Sequence, residues 1–389
     1  MKIAKVLVGS PDNKKGFFNN VMERTKHLID AEPNVDCYMI RVEHGLILRL
    51  LKRQFKRPKR DEFSVIEGME FRNLWVTMGF FDYLIAYRLH RRIVISSRQL
   101  NSYIKNFEKY DLLSSHGTEA IFLSALVKQR FKVPFVATWH GSDINIVPFR
   151  SLVAKKNIKQ LLNSADHNFF VSQKLLETAN SISAQAKKSV LYTGPSSIFY
   201  RYNNARRVAV AKRYNVSKAY TVGFVGNFVP IKNVLLLPAI FKKLQELLND
   251  ISFIIVGDGE LQQKMTAELT KNKIENVHIL GKQDPKHMPD IMNVLDVLIL
   301  PSLNEGLPRV TLEAQACGVH VVGSDRGGIP EAIGDANCFE LNEGFVDAIT
   351  SRILTLLQDK QESAELPVSF SWPNAIRHER EVHQNAYAK

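Results

Sequence analysis

An alternation of short apolar runs with longer helical patterns constrains the fold of this chain most, because it occurs twice along 389 residues. Apolar runs of about four to eight residues bounded by turn residues indicate buried strands. Strands that alternate with helices indicate parallel sheets with helices on both faces. Helical patterns cover residues 233–248 and 261–271, among others. The predicted strands are residues 3–8, 36–40, 111–115, 135–138, 167–171, 190–192, 221–225, 252–256, 277–280, 294–300, 319–323 and 338–341. The sequence therefore predicts an α/β protein of two Rossmann-like, doubly wound domains.

Turn residues suggest where the two domains meet along the chain. Residues 193–197, Thr-Gly-Pro-Ser-Ser, follow a predicted strand and are typical of a boundary. We therefore predict a first domain over residues 1–196, a second over 197–370 and an amphipathic C-terminal helix over 371–389. Residues 45–98 interrupt the regular alternation, and we expect them to form helices that cover one side of the binding cleft.

The net charge of +13 belongs to one half of the chain. Residues 1–200 hold 31 Lys and Arg against 17 Asp and Glu, a net charge of +14, whereas residues 201–389 hold 21 against 22, a net charge of −1. Residues 49–60 carry seven basic side chains and no acidic one. Each basic residue near an anionic leaflet contributes about 1 kcal/mol, so this cluster favours an anionic membrane surface or a lipid-linked acceptor. A solvated basic surface is the second interpretation. Nucleic acid is the third, and we predict no such partner because no nucleic-acid module surrounds the cluster.

Several classes of protein are disfavoured by composition. No apolar run reaches the roughly eighteen residues that a transmembrane helix needs. Residues 1–10 have too short an apolar stretch for a signal peptide and are predicted to be a first strand. Cys37, Cys317 and Cys338 are too few and too scattered for a disulfide framework or a zinc site, and we expect no metal or other cofactor. The protein is predicted to be cytoplasmic, or peripheral on the inner face of the cell membrane.

One loop and the helix after it combine residues that suit a phosphorylated ligand. Glu305 follows the predicted strand 294–300, and Glu313 lies eight residues further on, about 12 Å along a helix. Pro308 suits a first helical turn. A helix that begins near Leu307 offers unpaired backbone N–H groups and a positive dipole end, which favour phosphate. This arrangement could hold a nucleotide sugar at three points. Taken alone, the two glutamates also fit a helix-capping residue and a solvated surface charge.

Residues 301–318, Pro-Ser-Leu-Asn-Glu-Gly-Leu-Pro-Arg-Val-Thr-Leu-Glu-Ala-Gln-Ala-Cys-Gly, resemble the E-x7-E signature of family 4 retaining glycosyltransferases. Residues 327–331, Gly-Gly-Ile-Pro-Glu, follow the next strand as they do in that family. The resemblance covers nearly the whole chain and is weakest over residues 40–110. It implies a glycosyltransferase B fold, in which two Rossmann-like domains face a central cleft. The first domain would bind the acceptor, the second would bind the nucleotide-sugar donor, and the C-terminal helix would cross back to the first.

The second domain contains the donor site that the resemblance implies. Residues 226–233, Gly-Asn-Phe-Val-Pro-Ile-Lys-Asn, resemble the family loop whose lysine contacts the donor diphosphate, and Lys232 matches that lysine. Asn227 stands where the family usually has arginine, which removes one positive charge, and Arg309 is a candidate to compensate. The donor-binding residues implied are Gly16, Gly226, Asn227, Lys232, Gly281, Lys282, Glu305, Gly306, Leu307, Pro308, Arg309, Val310, Thr311 and Glu313.

Two histidines of the first domain end adjacent predicted strands. His116 closes one strand, and His140 closes the next within His-Gly-x-Asp, which ends at Asp143. His140 resembles the family's strand-end histidine beside the transferred sugar, and a neutral imidazole donates a hydrogen bond to a sugar hydroxyl. We therefore predict that His116, His140 and Asp143 bind the acceptor, although each also fits a purely structural role. Gly16 is a single glycine where the family often has two. The fingerprint Gly-x-Gly-x-x-Gly is absent, which disfavours a dinucleotide oxidoreductase.

The resemblance implies retaining, metal-independent transfer of a hexosyl group from a nucleotide diphosphate sugar, with UDP favoured over GDP. The acceptor would be a glycan or a lipid-linked molecule in the synthesis of cell-envelope or surface polysaccharide. The implied catalytic residues are His140, Glu305 and Lys232, while Glu313 would hold the ribose. Three alternatives remain open at this point: a nucleotide-sugar epimerase of the same architecture, a phosphate-dependent phosphorylase, and a non-catalytic protein that binds nucleotide sugar.

Overall fold

The computed structural model describes residues 1–9, 16–51, 59–88, 99–359 and 363–388. The chain divides into two compact units, each with its own sheet. Unit 1 comprises Met1–Thr193 together with Trp372–Lys389, and unit 2 comprises Gly194–Ser371. Unit 1 is therefore discontinuous in sequence, because its last helix comes after the whole of unit 2.

The described residues of unit 1 form the following elements. Its strands are β1 Ile3–Val8, β2 Val35–His44, β3 Phe63–Ile66, β4 Met69–Met78, β5 Leu112–His116, β6 Phe135–Trp139, β7 His167–Phe170 and β8 Lys188–Val190. Its α-helices are α1 Gly16–Ala31, α2 Leu46–Leu51, α3 Phe80–Arg88, α4 Thr118–Phe131, α5 Ser142–Asn145, α6 Leu152–Ser164 and α7 Gln173–Ile182, with short 3-10 helices at Asn101–Phe107 and Val147–Phe149.

Unit 2 and the C-terminal helix complete the chain. The strands of unit 2 are β9 Tyr220–Val225, β10 Ile251–Val256, β11 Val277–Gly281, β12 Val297–Leu300, β13 His320–Ser324 and β14 Cys338–Phe339. Its α-helices are α8 Asn204–Arg213, α9 Leu237–Leu247, α10 Gln262–Lys271, α11 Met288–Val294, α12 Arg309–Ala316, α13 Ile329–Ile333 and α14 Phe345–Gln358, with 3-10 helices at Pro230–Lys232, Val234–Leu236, Pro285–His287 and Asp335–Asn337. Helix α15, Trp372–Tyr387, returns to unit 1.

Both sheets have the strand order of doubly wound proteins. The order in unit 1 is β3-β4-β2-β1-β5-β6-β7-β8, and all neighbouring pairs are parallel except β3 with β4. The order in unit 2 is β11-β10-β9-β12-β13-β14, which in chain order reads 3-2-1-4-5-6, the Rossmann arrangement. The predicted fold class of two parallel-sheet α/β domains is therefore confirmed.

The cores explain why the apolar runs form central strands. Strand β1, Ile-Ala-Lys-Val-Leu-Val, lies between β2 and β5 and is buried almost throughout, as parallel strands covered on both faces are. Helix α15 packs Trp372, Ala375 and Val382 against a cluster that includes Ile3 and Phe169. This helix therefore covers part of the sheet of unit 1 and belongs to its core.

The prediction for residues 45–98 is wrong in its main part. Among the described residues of this range, α2 and α3 are short helices, and between them β3 and β4 make an antiparallel hairpin that extends the sheet of unit 1. The burial of β4 changes between buried and more exposed positions over much of its length, which is the period of a strand with one covered face. Glu67 and Gly68 join the two strands with φ values of 51° and 80°, as a tight type I′ turn requires.

Two predicted strands are shifted along the sequence. The predicted strand 294–300 begins only at Val297, because Met288–Val294 forms helix α11 and is also apolar. The predicted strand 190–192 overlaps the observed Lys188–Val190 by one residue. An apolar run shows that a segment is buried, but it does not separate the last turn of a buried helix from the strand that follows.

Candidate active site

The strand order of unit 2 predicts where a ligand would bind, namely at one edge of its sheet. From β9 the chain adds β10 and β11 on one side, and it then adds β12, β13 and β14 on the other side, so the strand order has a switch point between β9 and β12. Ligands of open parallel sheets bind at the carboxyl ends of the strands beside such a switch point. Strand β9 leads into the loop that contains Lys232, and β12 leads into the loop that contains Glu305. The Leu303 N–H donates to the Ile231 carbonyl over 2.8 Å, which fastens the two loops together.

Lys232 and Glu305 are the charged pair at this switch point. The Lys232 Nζ donates to the Glu305 Oε1 over 2.5 Å. The side chains remain 21% and 15% exposed, so both charges are sheltered but open to solvent. The structure thus brings together a cation and a carboxylate that the sequence predicts to contact the diphosphate and the sugar.

Helix α12 begins beside this pair. Its N-terminal cap is Pro308, and no side chain caps the helix, so the predicted start near Leu307 is early by two residues. Gly306 and Leu307 are half-buried and precede the helix. Thr311 donates its N–H and its hydroxyl to the Pro308 carbonyl over 3.2 and 2.7 Å. The Arg309 and Val310 N–H groups precede the first intrahelical bonds and have no partner within the helix.

Arg309 links the start of α12 to Glu313. Its Nε lies 3.8 Å from the Glu313 Oε1, one helical turn further on, and the two side chains are 13% and 20% exposed. The Arg309 Nη1 is buried and has no hydrogen-bond partner among the described residues. A buried guanidinium nitrogen without an acceptor is costly, so this group is poised to bind an anionic or hydroxylic ligand.

The glycines of the second family signature support the Glu305 loop. Gly327 has a φ of 62°, and a Cβ at this position would lie 2.1 Å from the Glu305 carbonyl oxygen. The Gly328 N–H donates to the same oxygen over 3.0 Å. Only a residue without a side chain permits this approach, so the Gly-Gly pair holds the loop that carries Glu305.

The loop after β9 is shaped by glycines in a similar way. A Cβ on Gly257, whose φ is 132°, would lie 1.9 Å from the Gly226 carbonyl oxygen, and the Gly257 N–H donates to the Gly281 carbonyl over 2.9 Å. Asn227 is exposed, and so is Lys282. These contacts bring Gly226 and Gly281 to neighbouring strand ends, whereas the Asn227 and Lys282 side chains point into solvent.

Unit 1 places two histidines at the ends of neighbouring strands. His116 ends β5 and pairs in register with Thr138 of β6, and His140 follows β6 directly. The His116 Nδ1 and the His140 Nε2 are 3.3 Å apart. The Asp143 carboxylate accepts from the backbone N–H groups of His140 and Gly141, over 3.2 and 2.8 Å. Asp143 therefore uses its oxygens to fix the loop that presents His140.

Both imidazoles are neutral at physiological pH. Burial, together with the charges of Arg24 and Lys5, lowers the pKa of His140 to about 3. Burial and the same two cations also hold the pKa of His116 well below its ordinary value. Burial raises the pKa of Asp143, although backbone N–H groups bonded to its carboxylate oppose the shift. A neutral His140 can donate or accept a hydrogen bond but carries no charge.

A buried ion cluster, which the sequence analysis missed, lies below these strand ends. The Glu379 carboxylate of α15 accepts from the Lys5 Nζ over 3.0 Å and from the Arg24 Nε over 2.7 Å. The Arg24 Nη1 donates to the Thr138 hydroxyl over 3.2 Å, two residues before His140. The side chains of Lys5 and Glu379 are fully buried, and that of Arg24 is 3% exposed. We call Lys5, Arg24 and Glu379 the buried ion cluster.

Burial and mutual attraction shift the pKa values of the residues in the buried ion cluster. Burial alone would raise the pKa of Glu379, but Arg24 and Lys5 outweigh it and hold that pKa well below its ordinary value. Burial lowers the pKa of Lys5 to about 8, against the attraction of Glu379. The sequence did contain a signal for this cluster, because Lys5 is the one charged residue within the apolar run of β1.

Other predicted positions lie partly outside the described residues. Gly16 is the first residue of α1, and the loop before it, residues 10–15, is not described. Of the basic cluster 49–60, residues 52–58 are not described, while Arg60 binds Glu43 and Thr77. In the described ranges, no helix is long and apolar enough to cross a membrane, and no group of three or more His, Cys, Asp or Glu could hold a metal ion.

Comparisons with known proteins agree with this fold. A family model for glycosyl transferases group 1 matches residues 208–369, and a model for glycosyltransferase family 4 matches residues 53–194. The two matches fall on unit 2 and on unit 1. The protein is therefore a glycosyltransferase with the type B fold.

The chain is also similar to individual proteins of known sequence or structure. The chain is 28% identical to the putative teichuronic acid biosynthesis glycosyltransferase TuaC of Bacillus subtilis, over 86% of this chain and 83% of the relative. It is 26% identical to the Escherichia coli UDP-Gal:alpha-D-GlcNAc-diphosphoundecaprenol alpha-1,3-galactosyltransferase, over 65% of this chain and 68% of the relative. Its structure is similar to Anabaena HepE in complex with UDP, with a TM-score of 0.74, 18% identity, and coverage of 99% of this chain and 100% of HepE.

Proposed function

We propose that the protein is a retaining, metal-independent hexosyltransferase that uses a nucleotide diphosphate sugar, with UDP favoured over GDP. The acceptor is a glycan or a lipid-linked molecule in the synthesis of cell-envelope or surface polysaccharide. One observation carries this proposal: Lys232 and Glu305 meet at the switch point of unit 2, beside the uncapped start of α12. A cation, unpaired amides and a carboxylate in one place match the phosphate and sugar parts of such a donor.

The donor would be held by positively charged and N–H groups at its diphosphate and by carboxylates at its two sugars, at the start of α12 and in the loops beside it. Lys232 and the Arg309 and Val310 amides are suited to the diphosphate, because they supply positive charge and N–H donors. Glu305 is suited to the hydroxyls of the transferred sugar, and Glu313 to those of the ribose. The buried Arg309 Nη1, which has no partner, would gain an acceptor from the nucleotide, so Arg309 takes over charge that Asn227 lacks.

The reaction breaks the bond between the anomeric carbon and the diphosphate oxygen, and it forms a bond from the acceptor oxygen to the same carbon. Attack from the face that the diphosphate leaves gives retention, and the acceptor proton passes to a phosphate oxygen of the leaving group. Lys232 and the α12 amides stabilise the charge that grows on this group. The neutral His140 donates a hydrogen bond to a sugar hydroxyl. His116, predicted to bind the acceptor, is fully buried and supports the His140 ring instead, and Asp143 fixes the loop that presents His140.

The choice of nucleotide and acceptor rests on the relatives and on charge. HepE is described in complex with UDP, and the E. coli relative is named for UDP-Gal and a diphosphoundecaprenol-linked acceptor. TuaC is named for teichuronic acid biosynthesis. The excess of positive charge in residues 1–200 favours an anionic acceptor or membrane surface, with residues 49–60 as its densest part. We place the protein in the cytoplasm or on the inner face of the membrane.

A thermal-shift panel of UDP-, GDP- and ADP-sugars tests the donor site. A ligand well above its dissociation constant raises the melting temperature of the folded protein by mass action. We expect a rise with the UDP-sugars in the wild type and in Glu246→Ala, which changes an exposed glutamate of α9, but not in Glu313→Ala. If no nucleotide sugar raises the melting temperature of the wild type, the proposed donor site is wrong.

Product analysis tests the reaction. With the best donor and a panel of acceptors, NMR should show that the new linkage keeps the anomeric configuration of the donor, and EDTA should not reduce the rate. Release of an epimer from donor alone would instead identify an epimerase. Binding of donor without any turnover would identify a binding protein.

A further inference from the structure

Helix α2 exposes an unusual amount of apolar surface. Leu46, Ile47, Leu50 and Leu51 are 65%, 57%, 55% and 65% exposed, and Leu48 is the apolar residue of this helix that is buried. Single exposed leucines are common, but several adjacent ones on a single short helix are typical of a surface that contacts a partner or a membrane.

Helix α3 adds to the same surface. Helices α2 and α3 follow the carboxyl ends of neighbouring strands, because His44 of β2 pairs with Met78 of β4. The Gly45 N–H donates to the Met78 carbonyl over 2.8 Å, and a Cβ on Gly45 would lie 3.4 Å from the Gly79 Cα. The two helices therefore start side by side. Phe81 of α3 is 75% exposed. We call Leu46, Ile47, Leu50, Leu51 and Phe81 the apolar corner.

The apolar corner lies at the functional edge of unit 1. Strands β2, β4, β5 and β6 are all parallel within one sheet, so their carboxyl ends share one edge. The corner follows β2 and β4 at this edge. His116 and His140 stand at the ends of β5 and β6 at the same edge. A molecule held at the corner is thus on the side of the sheet where the acceptor residues are.

Charge indicates which partner fits the corner. Arg49 lies within α2, and the residues that follow, 52–60, add six more basic side chains with no acidic one. An apolar helix that is followed in sequence by lysines and arginines matches the interface of an anionic bilayer, where apolar groups enter the acyl boundary and cations contact the headgroups. A protein partner would need a similarly large acidic and apolar surface of its own.

We propose that the apolar corner inserts into an anionic membrane surface and holds the acceptor edge of unit 1 against it. This inference rests on the proposed function in one respect, namely that the acceptor is linked to a lipid. It goes beyond charge attraction, because aliphatic insertion persists when salt screens the basic residues. The corner thereby brings the enzyme to an acceptor that does not leave the bilayer.

Vesicle binding tests the insertion. We expect sedimentation with phosphatidylglycerol-containing vesicles at low salt, and a substantial bound fraction at 0.5 M NaCl. The variant Leu46→Ser/Ile47→Ser/Leu50→Ser/Leu51→Ser should lower the partition coefficient at high salt by about tenfold or more, because it removes most of the inserted apolar surface. The control Leu152→Ser/Val208→Ser changes two residues that are also well exposed but lie outside the corner, and it should bind like the wild type.

Two further measurements make failure of this inference distinguishable from failure of the proposed function. The thermal shift with UDP-sugar should be the same in the quadruple variant as in the wild type, since unit 2 is unchanged. Transfer to a vesicle-embedded acceptor should show a raised KM in the variant, whereas transfer to a water-soluble acceptor should not. Equal vesicle binding by variant and wild type at high salt would overturn the insertion. So would self-association of the wild type that the variant loses, because the corner would then contact a second copy.

Discussion

Unit 1 and unit 2 both concentrate charge at strand ends, but they pair it in opposite ways. In unit 2 the pairs Lys232–Glu305 and Arg309–Glu313 are local to two loops and one helix, and their side chains are 13–21% exposed. In unit 1 the buried ion cluster joins β1 and α1 to the last helix of the chain and is closed to solvent. A ligand can replace a partner in the first arrangement, whereas in the second every charge is committed to the fold.

The difference suggests what each arrangement is for. The pairs of unit 2 still reach solvent, so unit 2 loses less stability than unit 1 would when a diphosphate or a sugar hydroxyl takes over one partner. A buried ion pair is costly to break, because the removal of one member leaves the other as an uncompensated buried charge. The cations of the buried ion cluster also act on His140, since they help to keep its pKa near 3.

We expect Glu379→Gln to cause the largest loss of stability. This change leaves Lys5 and Arg24 buried without a counterion, so the free energy of unfolding should fall by about 3–5 kcal/mol. Urea unfolding of the whole chain measures it, with Glu381→Gln on the exposed side of α15 as the control. A loss below about 1 kcal/mol would show that the two units do not differ in the way described.

Lys232→Met should show the opposite balance. Because this lysine would face the leaving diphosphate, we expect kcat to fall by about 10²–10³, while the free energy of unfolding changes by less than about 1 kcal/mol. Lys264→Met, on the exposed surface of α10, is the matched control for both measurements. A variant that is destabilised in proportion to its lost activity would assign Lys232 to the fold.

Gly327→Ala should damage the donor site through the backbone. The added Cβ clashes with the Glu305 carbonyl oxygen, so the loop must move, and we expect a loss of about 1–3 kcal/mol in stability together with weaker UDP-sugar binding. Gly334→Ala has a similar positive φ of 77° with no atom within 4 Å of the new Cβ, so it carries the strain without the clash. Calorimetric titration of both variants separates the two causes, and equal affinities would exclude a role for the clash.

Acid should destabilise unit 1 before ordinary carboxylates titrate. Burial lowers the pKa of His140 and of His383 to about 3 from the ordinary 6.5, and lowers that of His116 as well. As pH falls below 6.5 the unfolded chain takes up protons that the folded chain does not. Stability present above pH 6.5 is therefore lost towards pH 3, by about 1.4 kcal/mol per pH unit for each histidine. Denaturant titrations between pH 8 and pH 5 measure this, and a flat profile between pH 6.5 and pH 5 would contradict it.

His383→Met should have the smallest effect. The His383 ring is fully buried, and neither of its nitrogens has a hydrogen-bond partner in the described part of the chain. An apolar side chain of similar length loses no hydrogen bond there, so the free energy of unfolding at pH 7.5 should change by less than about 1 kcal/mol. The fall of the unfolding free energy with pH below 6.5 should become less steep, by the contribution of one proton taken up on unfolding. A large loss at pH 7.5 would mean that the imidazole bonds to a buried water.

The sequence predicted those parts of the fold that depend on continuous burial. Central parallel strands such as β1 and β10 are apolar on both faces and can be recognised from composition alone. The β3–β4 hairpin was missed because its strands are only half covered and contain Glu70 and Arg72, so the alternation was weaker than the surrounding charge signal. Its turn, Glu67–Gly68, is the feature that could have revealed it.

The charged residues likewise differ in whether they could be predicted from the sequence. Glu305 and Lys232 lie 73 residues apart, yet each follows a recognisable strand, and the resemblance links the two loops. The Lys5–Glu379 contact joins residues 374 apart, and neither residue belongs to a motif. No spacing rule relates them, since only the return of α15 to the sheet of unit 1 brings them together.

The discontinuity of unit 1 has a consequence for synthesis on the ribosome. When Thr193 has been made, Lys5 and Arg24 still lack Glu379, and the apolar surface around Ile3 and Phe169 still lacks α15. At about 5–20 residues per second, translation of the intervening residues takes about ten to forty seconds. We expect the second unit, although translated later, to reach its final packing first, and the nascent first unit to be the part of the chain that chaperones hold.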